Sequence, residues 1–170
     1  LEGDKIPKEI YYNLVKSLEQ NQGVYKSYLL TLKKYFAFEK FYSFDKYLPL
    51  VENSQTSNYP IEKQIETVKQ ALKPLGEDYV KMLDTAFNEN WIDVYQSTEK
   101  KDGGYCTNCY GLHPFIFLND NNDVGSMSTL AHEFGHAMHF FYSSQKQDYI
   151  NSDPTIFVAE IASTVNEILL

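Results

Sequence analysis

A mainly α-helical chain with a small β-sheet ahead of a histidine-bearing helix is the fold class this sequence predicts. Three observations carry the prediction. Apolar residues recur at i, i+3 and i+4 spacing through most of 7–41, 60–89 and 126–169. Proline and glycine fall between those stretches, where breaks are needed. From Trp91 to Leu118 the texture changes to short extended runs rich in aromatics. At 170 residues the chain is long enough to bury a real core as one domain, with a helical part over 1–90 and the sheet plus two helices over 91–170.

Composition narrows the function classes. Hydrophobic residues make up 43% and charged residues 22%, which suits a packed protein and is too apolar for disorder. The net charge is −8, and all 15 basic residues are lysines. A nucleic-acid partner wants a basic face, so none is expected. Without arginine there is no guanidinium fork to grip a carboxylate or phosphate. No apolar run is long enough to span a membrane, and no membrane partner is expected. The charged start, Leu1-Glu2-Gly3-Asp4-Lys5, lacks the apolar centre of a signal peptide. Two cysteines do not make a disulfide scaffold, so a cytoplasmic enzyme is the default.

In chain order, Pro7 heads a helix over 7–20 with Ile10, Leu14 and Leu18 inward, and Gly23 ends it. A second helix is predicted over 24–41, then a connector from Phe44 to Leu50. Tyr25, Tyr28, Tyr35, Phe36, Phe38, Phe41, Tyr42, Phe44 and Tyr47 are read chiefly as core, with a peptide cleft as their other use. Polar residues make 51–59 a surface loop. Pro60 opens a helix to 73 with Ile61, Ile65, Val68 and Leu72 on one face; Pro74 and Gly76 break it, and 77–89 forms the next. Trp91 to Tyr95 reads as a strand, Lys100 to Gly104 as a turn, and 105–110 and 114–118 as two more extended pieces. Such a sheet offers an edge strand to an extended peptide. Cys106-Thr107-Asn108-Cys109 is a C-x-x-C. With no second pair and no redox-type helix, it is read as two incidental thiols.

Residues 130–142 hold His132-Glu133-Phe134-Gly135-His136, an H-E-x-x-H pattern, and all four histidines lie between 113 and 139. On a helix over 126–144, residues four apart lie about 40° apart, so both rings can reach one metal ion. Glu133 then projects to the side, where it could act as general base on a metal-bound water. Met127, Leu130, Ala131, Phe134, Met138 and Phe141 form an apolar back, opposite a front of His132, His136 and His139. Gly135 in mid-helix costs about 1 kcal/mol relative to alanine, so something is expected to approach the backbone there. The plainer alternative is a chance pattern on a solvated helix.

A hydrolytic zinc site takes three protein ligands. After a polar loop at 145–152, Asp153-Pro154 reads as an N-cap with proline at N1. In the helix that follows, Glu160, Ser163 and Glu167 share a narrow stripe, while Phe157, Val158, Ile161, Val165, Ile168 and Leu169 cover most of the rest. A helix so apolar is expected to be buried, and a carboxylate stripe on it needs partners. Glu160 is the expected third ligand and Glu167 the better placed to hydrogen-bond a ligand from behind. His139 is the competing third ligand. It is set aside because the longer pattern with a histidine ten residues after the first has Tyr142 there instead. A plain solvated face is the other reading of Glu160 and Glu167.

Trp91-Ile92-Asp93-Val94-Tyr95, Gly103-Gly104-Tyr105, Tyr110-Gly111-Leu112-His113-Pro114, Leu118-Asn119, the 129–139 run and Ala159-Glu160-Ile161-Ala162-Ser163-Thr164 with Asn166-Glu167 together resemble oligoendopeptidase F. That is the bacterial branch of the thimet-oligopeptidase-like zinc peptidases. The likeness is dense over 91–170 and weaker before it. It implies a helical, zincin-like catalytic domain whose channel admits short peptides, one Zn²⁺ on His132, His136 and Glu160, and Glu133 activating water. It also implies that the Gly103-Gly104-Tyr105 segment and His113 border the substrate, while His139 and Glu167 are read from their helix positions as lying behind or beside the ligands. A structural histidine in a turn before proline is the other reading of His113. Cys106 stands where relatives usually have serine, and Gly104 where they have alanine.

The resemblance covers only a minor part of such an enzyme, and the apolar, uncapped run Glu167-Ile168-Leu169-Leu170 reads as cut off. It places the family's oxyanion-stabilising tyrosine and histidine beyond that point, and losing one such donor costs about 10²–10³-fold in rate. The sequence therefore predicts a zinc endopeptidase of short oligopeptides, with low or no activity in this segment alone. The rivals are a noncatalytic metal- or peptide-binding module and a helical interaction domain without metal.

Overall fold

The computed structural model describes residues 6–50 and 58–170. The described chain is mainly helical with one three-stranded sheet, and it forms two compact units, 1–55 and 56–170.

The first unit is dominated by α1 (Lys8–Tyr35), a single 28-residue helix. It runs straight through Gly23, where two helices were expected. One glycine weakens a helix without ending it, and nothing lies within 4 Å of where a Cβ would sit. What ends α1 is Ala37, whose φ of 53° turns the backbone left-handed while Phe38 N–H bonds the Lys33 carbonyl. Ile10, Leu14 and Leu18 are exposed rather than inward, and Tyr25, Tyr28, Tyr35, Tyr42, Phe44 and Tyr47 are exposed rather than core. Periodicity locates an apolar face but does not supply what covers it. The expected loop at 51–59 falls largely outside the described residues.

The second unit holds the core. Pro60 precedes α2 (Ile61–Ala71), whose Ile61, Val68 and Leu72 face are buried as the spacing predicts. A short 3₁₀ turn with Pro74, closed by Gly76 at φ 102°, separates it from α3 (Glu77–Asn88). The three strands are shorter than expected: β1 (Ile92–Asp93), β2 (Tyr105–Thr107) and β3 (Phe115–Phe117). Their order is β1-β3-β2, with β1 parallel and β2 antiparallel to β3, so β2 is an edge. In β2 and β3, Cys106 and Ile116 pair on the core side, while Tyr105 and Phe117 stack on the other.

The long helix α4 (Val124–Lys146) begins at Asp123, whose carboxylate accepts the Ser126 N–H at 2.7 Å. Its buried stripe of Met127, Leu130, Ala131, Phe134 and Met138 closes the core. The last helix, α5 (Ile156–Leu169), starts two residues later than Asp153-Pro154 suggested, with Thr155 at its N-cap position. It lies along α4, but not on its large apolar side chains. Ala159, Ser163 and Asn166 are its buried face, whereas Phe157, Val158, Ile161, Val165 and Ile168 are exposed. The expectation of a buried α5 therefore holds for its small, polar stripe only. Close approach of two helices needs small residues at the contact.

Candidate metal centre

The small face of α5 explains Gly135. A Cβ built there would stand 2.6 Å from the Ala162 carbonyl oxygen and 2.7 Å from Ser163 Cα. No side chain fits, and the α5 backbone is the group whose approach the sequence implied. This contact leaves the Glu160–Glu167 stripe about 90° to the side of the interface, on the flank where α4 carries His132 and His136.

His132, His136 and Glu160 come together there, each offering one ligand atom within 4.8 Å of the others. Nε2 of His136 lies 3.1 Å from Nε2 of His132, and Glu160 Oε2 lies 3.7 Å from each. Metal–ligand bonds of about 2.0–2.1 Å at tetrahedral angles put neighbouring ligand atoms about 3.3 Å apart. The observed spacings bracket that value. Nδ1 of His132 meets the Glu167 carboxylate. A carboxylate only accepts, so Nδ1 carries the hydrogen, which leaves Nε2 as the ring atom that can bind a metal. His136 hydrogen-bonds the Ala159 backbone, and burial, partly countered by Glu160, holds its imidazole below the ordinary value, hence neutral. Two ring nitrogens then point their lone pairs at one small space beside a carboxylate. That donor set fits a divalent cation.

Glu160 is itself held by Ser163, whose hydroxyl donates to Oε2 at 2.8 Å. Glu133 sits beside the cluster, buried, and accepts the Cys106 backbone N–H of β2. Burial pushes its carboxyl above the usual carboxylate range, against the pull of His132 and with the help of Glu160. Burial and the nearby Glu133 also raise the Cys106 thiol. A cleft of about 400 Å³ opens on the cluster, lined by Gly125, Ser128, Thr129, His132, Glu133 and Glu167.

The remaining residues singled out in the sequence lie differently. Gly104 is packed against this cleft: a Cβ there would meet Thr129 Cγ2 at 2.7 Å and Glu133 Cγ at 3.4 Å. Tyr105 does not join the cluster, since strand alternation turns its ring to the far face of the sheet against Phe117. His113 stacks on Trp91 with ring centroids 5.0 Å apart and is tilted against Phe115, the setting of a structural histidine. His139 stands outside the three-ligand set and lines an apolar groove with Tyr79, Tyr142 and Val165, its Nδ1 buried without a partner among the described residues. Asn166, buried on α5 and bonded to the Ala131 carbonyl and the Tyr79 hydroxyl, had no place in the reading of the α5 wheel, which treats only large apolar residues as buried.

With this geometry in hand, the likeness to known proteins is specific. The sequence model of Peptidase family M3 matches residues 1–170. The chain belongs to peptidase family M3. It is 36% identical to oligopeptidase PepF of Bacillus subtilis (strain 168) over 170 residues, covering 100% of this chain and 25% of that protein. An oligoendopeptidase F homolog of Mycoplasma genitalium is 46% identical over 115 residues, 66% of this chain and 19% of the relative. Among solved structures, a peptidase from Chlamydophila abortus superposes with TM-score 0.77 at 31% identity, over 98% of this chain and 28% of that one. An oligoendopeptidase F from Bacillus anthracis, at 22% identity and TM-score 0.80, shares the fold over 96% of this chain and 30% of its own. The chain thus spans about a quarter of the length of the curated relatives it matches. Among the described residues, no helix is long and apolar enough to cross a membrane.

Proposed function

We propose that this chain carries the zinc centre of a metallo-oligopeptidase that hydrolyses short peptides. The observation that supports it most is the convergence of two imidazole lone pairs and one carboxylate beside a buried glutamate. In this reading His132, His136 and Glu160 hold one Zn²⁺. When bound, zinc supplies Lewis acidity toward a peptide carbonyl and makes water easier to deprotonate. Glu133 accepts the proton of the attacking water and returns it to the leaving amine. Burial holds its carboxyl above the usual carboxylate range, which makes it a better proton acceptor than an exposed glutamate. Glu167 keeps His132 in the tautomer that binds metal. The β2 edge and Gly104 border the peptide, because they already touch Glu133. The family match runs through both compact units, which supports reading 1–170 as part of one catalytic domain.

Bound zinc and hydrolysis of a quenched-fluorescent peptide, measured on this chain and on Glu133→Gln, test the reading. Stoichiometric zinc in both proteins is expected, with any turnover lowered about 10²–10⁴-fold by the substitution. Zinc without turnover in either protein would fit both the low activity expected of this segment and the noncatalytic metal-binding module. No zinc uptake would overturn the site.

A further inference from the structure

Asn166 is 1% exposed and makes both of its side-chain bonds to other helices. Its Nδ2 donates to the Ala131 carbonyl of α4 at 2.9 Å, and its Oδ1 accepts the Tyr79 hydroxyl of α3 at 3.0 Å. Inside a helix the Ala131 carbonyl already has its i+4 partner, so the amide takes the second lone pair. That carbonyl belongs to the peptide unit leading into His132, and Asn166 immediately precedes Glu167, which meets the His132 ring. The dipeptide Asn166-Glu167 therefore holds the same histidine from its backbone and from its ring.

We propose that Asn166 is a positioning residue: by gripping the Ala131 carbonyl it sets the register of α5 along α4, and so brings Glu160 and Glu167 to the two histidines. This rests on the metal-centre reading above. The contact at Gly135 controls how close the helices come, but a smooth backbone-to-backbone contact does not stop one sliding along the other. A slip of one residue is about 1.5 Å along the axis and about 100° around it, enough to take a carboxylate off the cluster. Directional bonds resist it, and of those between α4 and α5 (His132 to Glu167, His136 to the Ala159 backbone and Asn166 to Ala131) the last holds the register without using a side chain of the cluster itself. The Tyr79 hydroxyl fixes which way the amide faces, so that Nδ2 and not Oδ1 meets the carbonyl. Burial pushes that hydroxyl up to about 12, and it remains a donor across the working range.

The test is zinc affinity by competition with a chromophoric chelator, together with the visible absorption spectrum of Co²⁺ bound in place of zinc. Asn166→Ala is expected to weaken zinc binding by about 10–100-fold and to alter the Co²⁺ spectrum, in protein that is folded by circular dichroism. Tyr79→Phe, which leaves the amide in place, should weaken it by about 3-fold or more. Leu83→Ala, a core truncation away from the cluster, controls for stability alone; it should lower the melting temperature yet leave affinity and spectrum unchanged. A folded Asn166→Ala with wild-type affinity and spectrum would overturn the proposal and leave the metal centre standing. If that variant does not fold, Tyr79→Phe decides, and wild-type affinity in it would overturn the proposal. A wild-type chain that takes up neither metal would instead sink the metal-centre reading, and this proposal with it.

Discussion

Glu133 shows what burial does to one side chain. The residue is 6% exposed, and its carboxyl, near Glu160, is held above the ordinary carboxylate range. An unfolded glutamate titrates at about 4.3. Between that pH and the higher folded value, the native state keeps a proton the unfolded chain has lost. Stability therefore falls as pH rises through that window. In chelator-treated protein, Glu133→Gln should melt above wild type at pH 7.5, with the two converging near about pH 4. A wild-type midpoint equal to the variant's at pH 7.5 would show that the carboxylate is not desolvated. This residue was legible as a candidate without a structure, because H-E-x-x-H places it on a helix beside two histidines by spacing alone. Its bond from Cys106 was not, since nothing local to either residue says that β2 passes over that turn of α4.

At the scale of elements, the α4–α5 contact decides the site. Gly135 and Gly23 are both helical glycines, yet a Cβ would collide at the first and meet open space at the second. Propensity alone favours alanine at each by about 1 kcal/mol. Gly135→Ala is nonetheless expected to destabilise by about 1–3 kcal/mol through overpacking, and to weaken zinc binding by moving Glu160. Gly23→Ala should stabilise by about 0.5–1 kcal/mol. Chemical denaturation of the two variants checks the opposite signs; a gain at both positions would mean that α5 can yield to the added methyl. The mid-helix glycine anticipated that the α4 backbone is approached at Gly135, but the apolar pattern implied an α5 buried on most sides, where only its small face is. The large residues Phe157, Ile161 and Ile168 dominate a hydrophobic pattern, while the packing selected Ala159, Ser163 and Asn166 for their size.

For the whole molecule, a ligand that binds only the folded state raises stability by mass action. Zinc at about 100 times its dissociation constant should add about 2.7 kcal/mol, reversed by chelator. In Glu160→Ala the same zinc concentration should add much less, because a three-ligand set has become two. Thermal melts at several zinc concentrations measure this, and equal shifts in wild type and variant would remove Glu160 from the ligand set. The limits of α2 and α3, the breaks at Pro74 and Gly76, the sheet between α3 and α4, and the four-residue spacing of His132 and His136 were all determined by the sequence itself. Each depends on neighbours within a turn or two of chain. Tertiary structure alone decided that Tyr105 faces away from the cluster, that His113 lies on Trp91, that α5 turns its small face inward, and that Asn166 reaches Ala131. Those outcomes depend on what stands across an interface 22 residues or more away along the chain, or on the opposite side of a strand, and no local pattern encodes the shape of a distant partner.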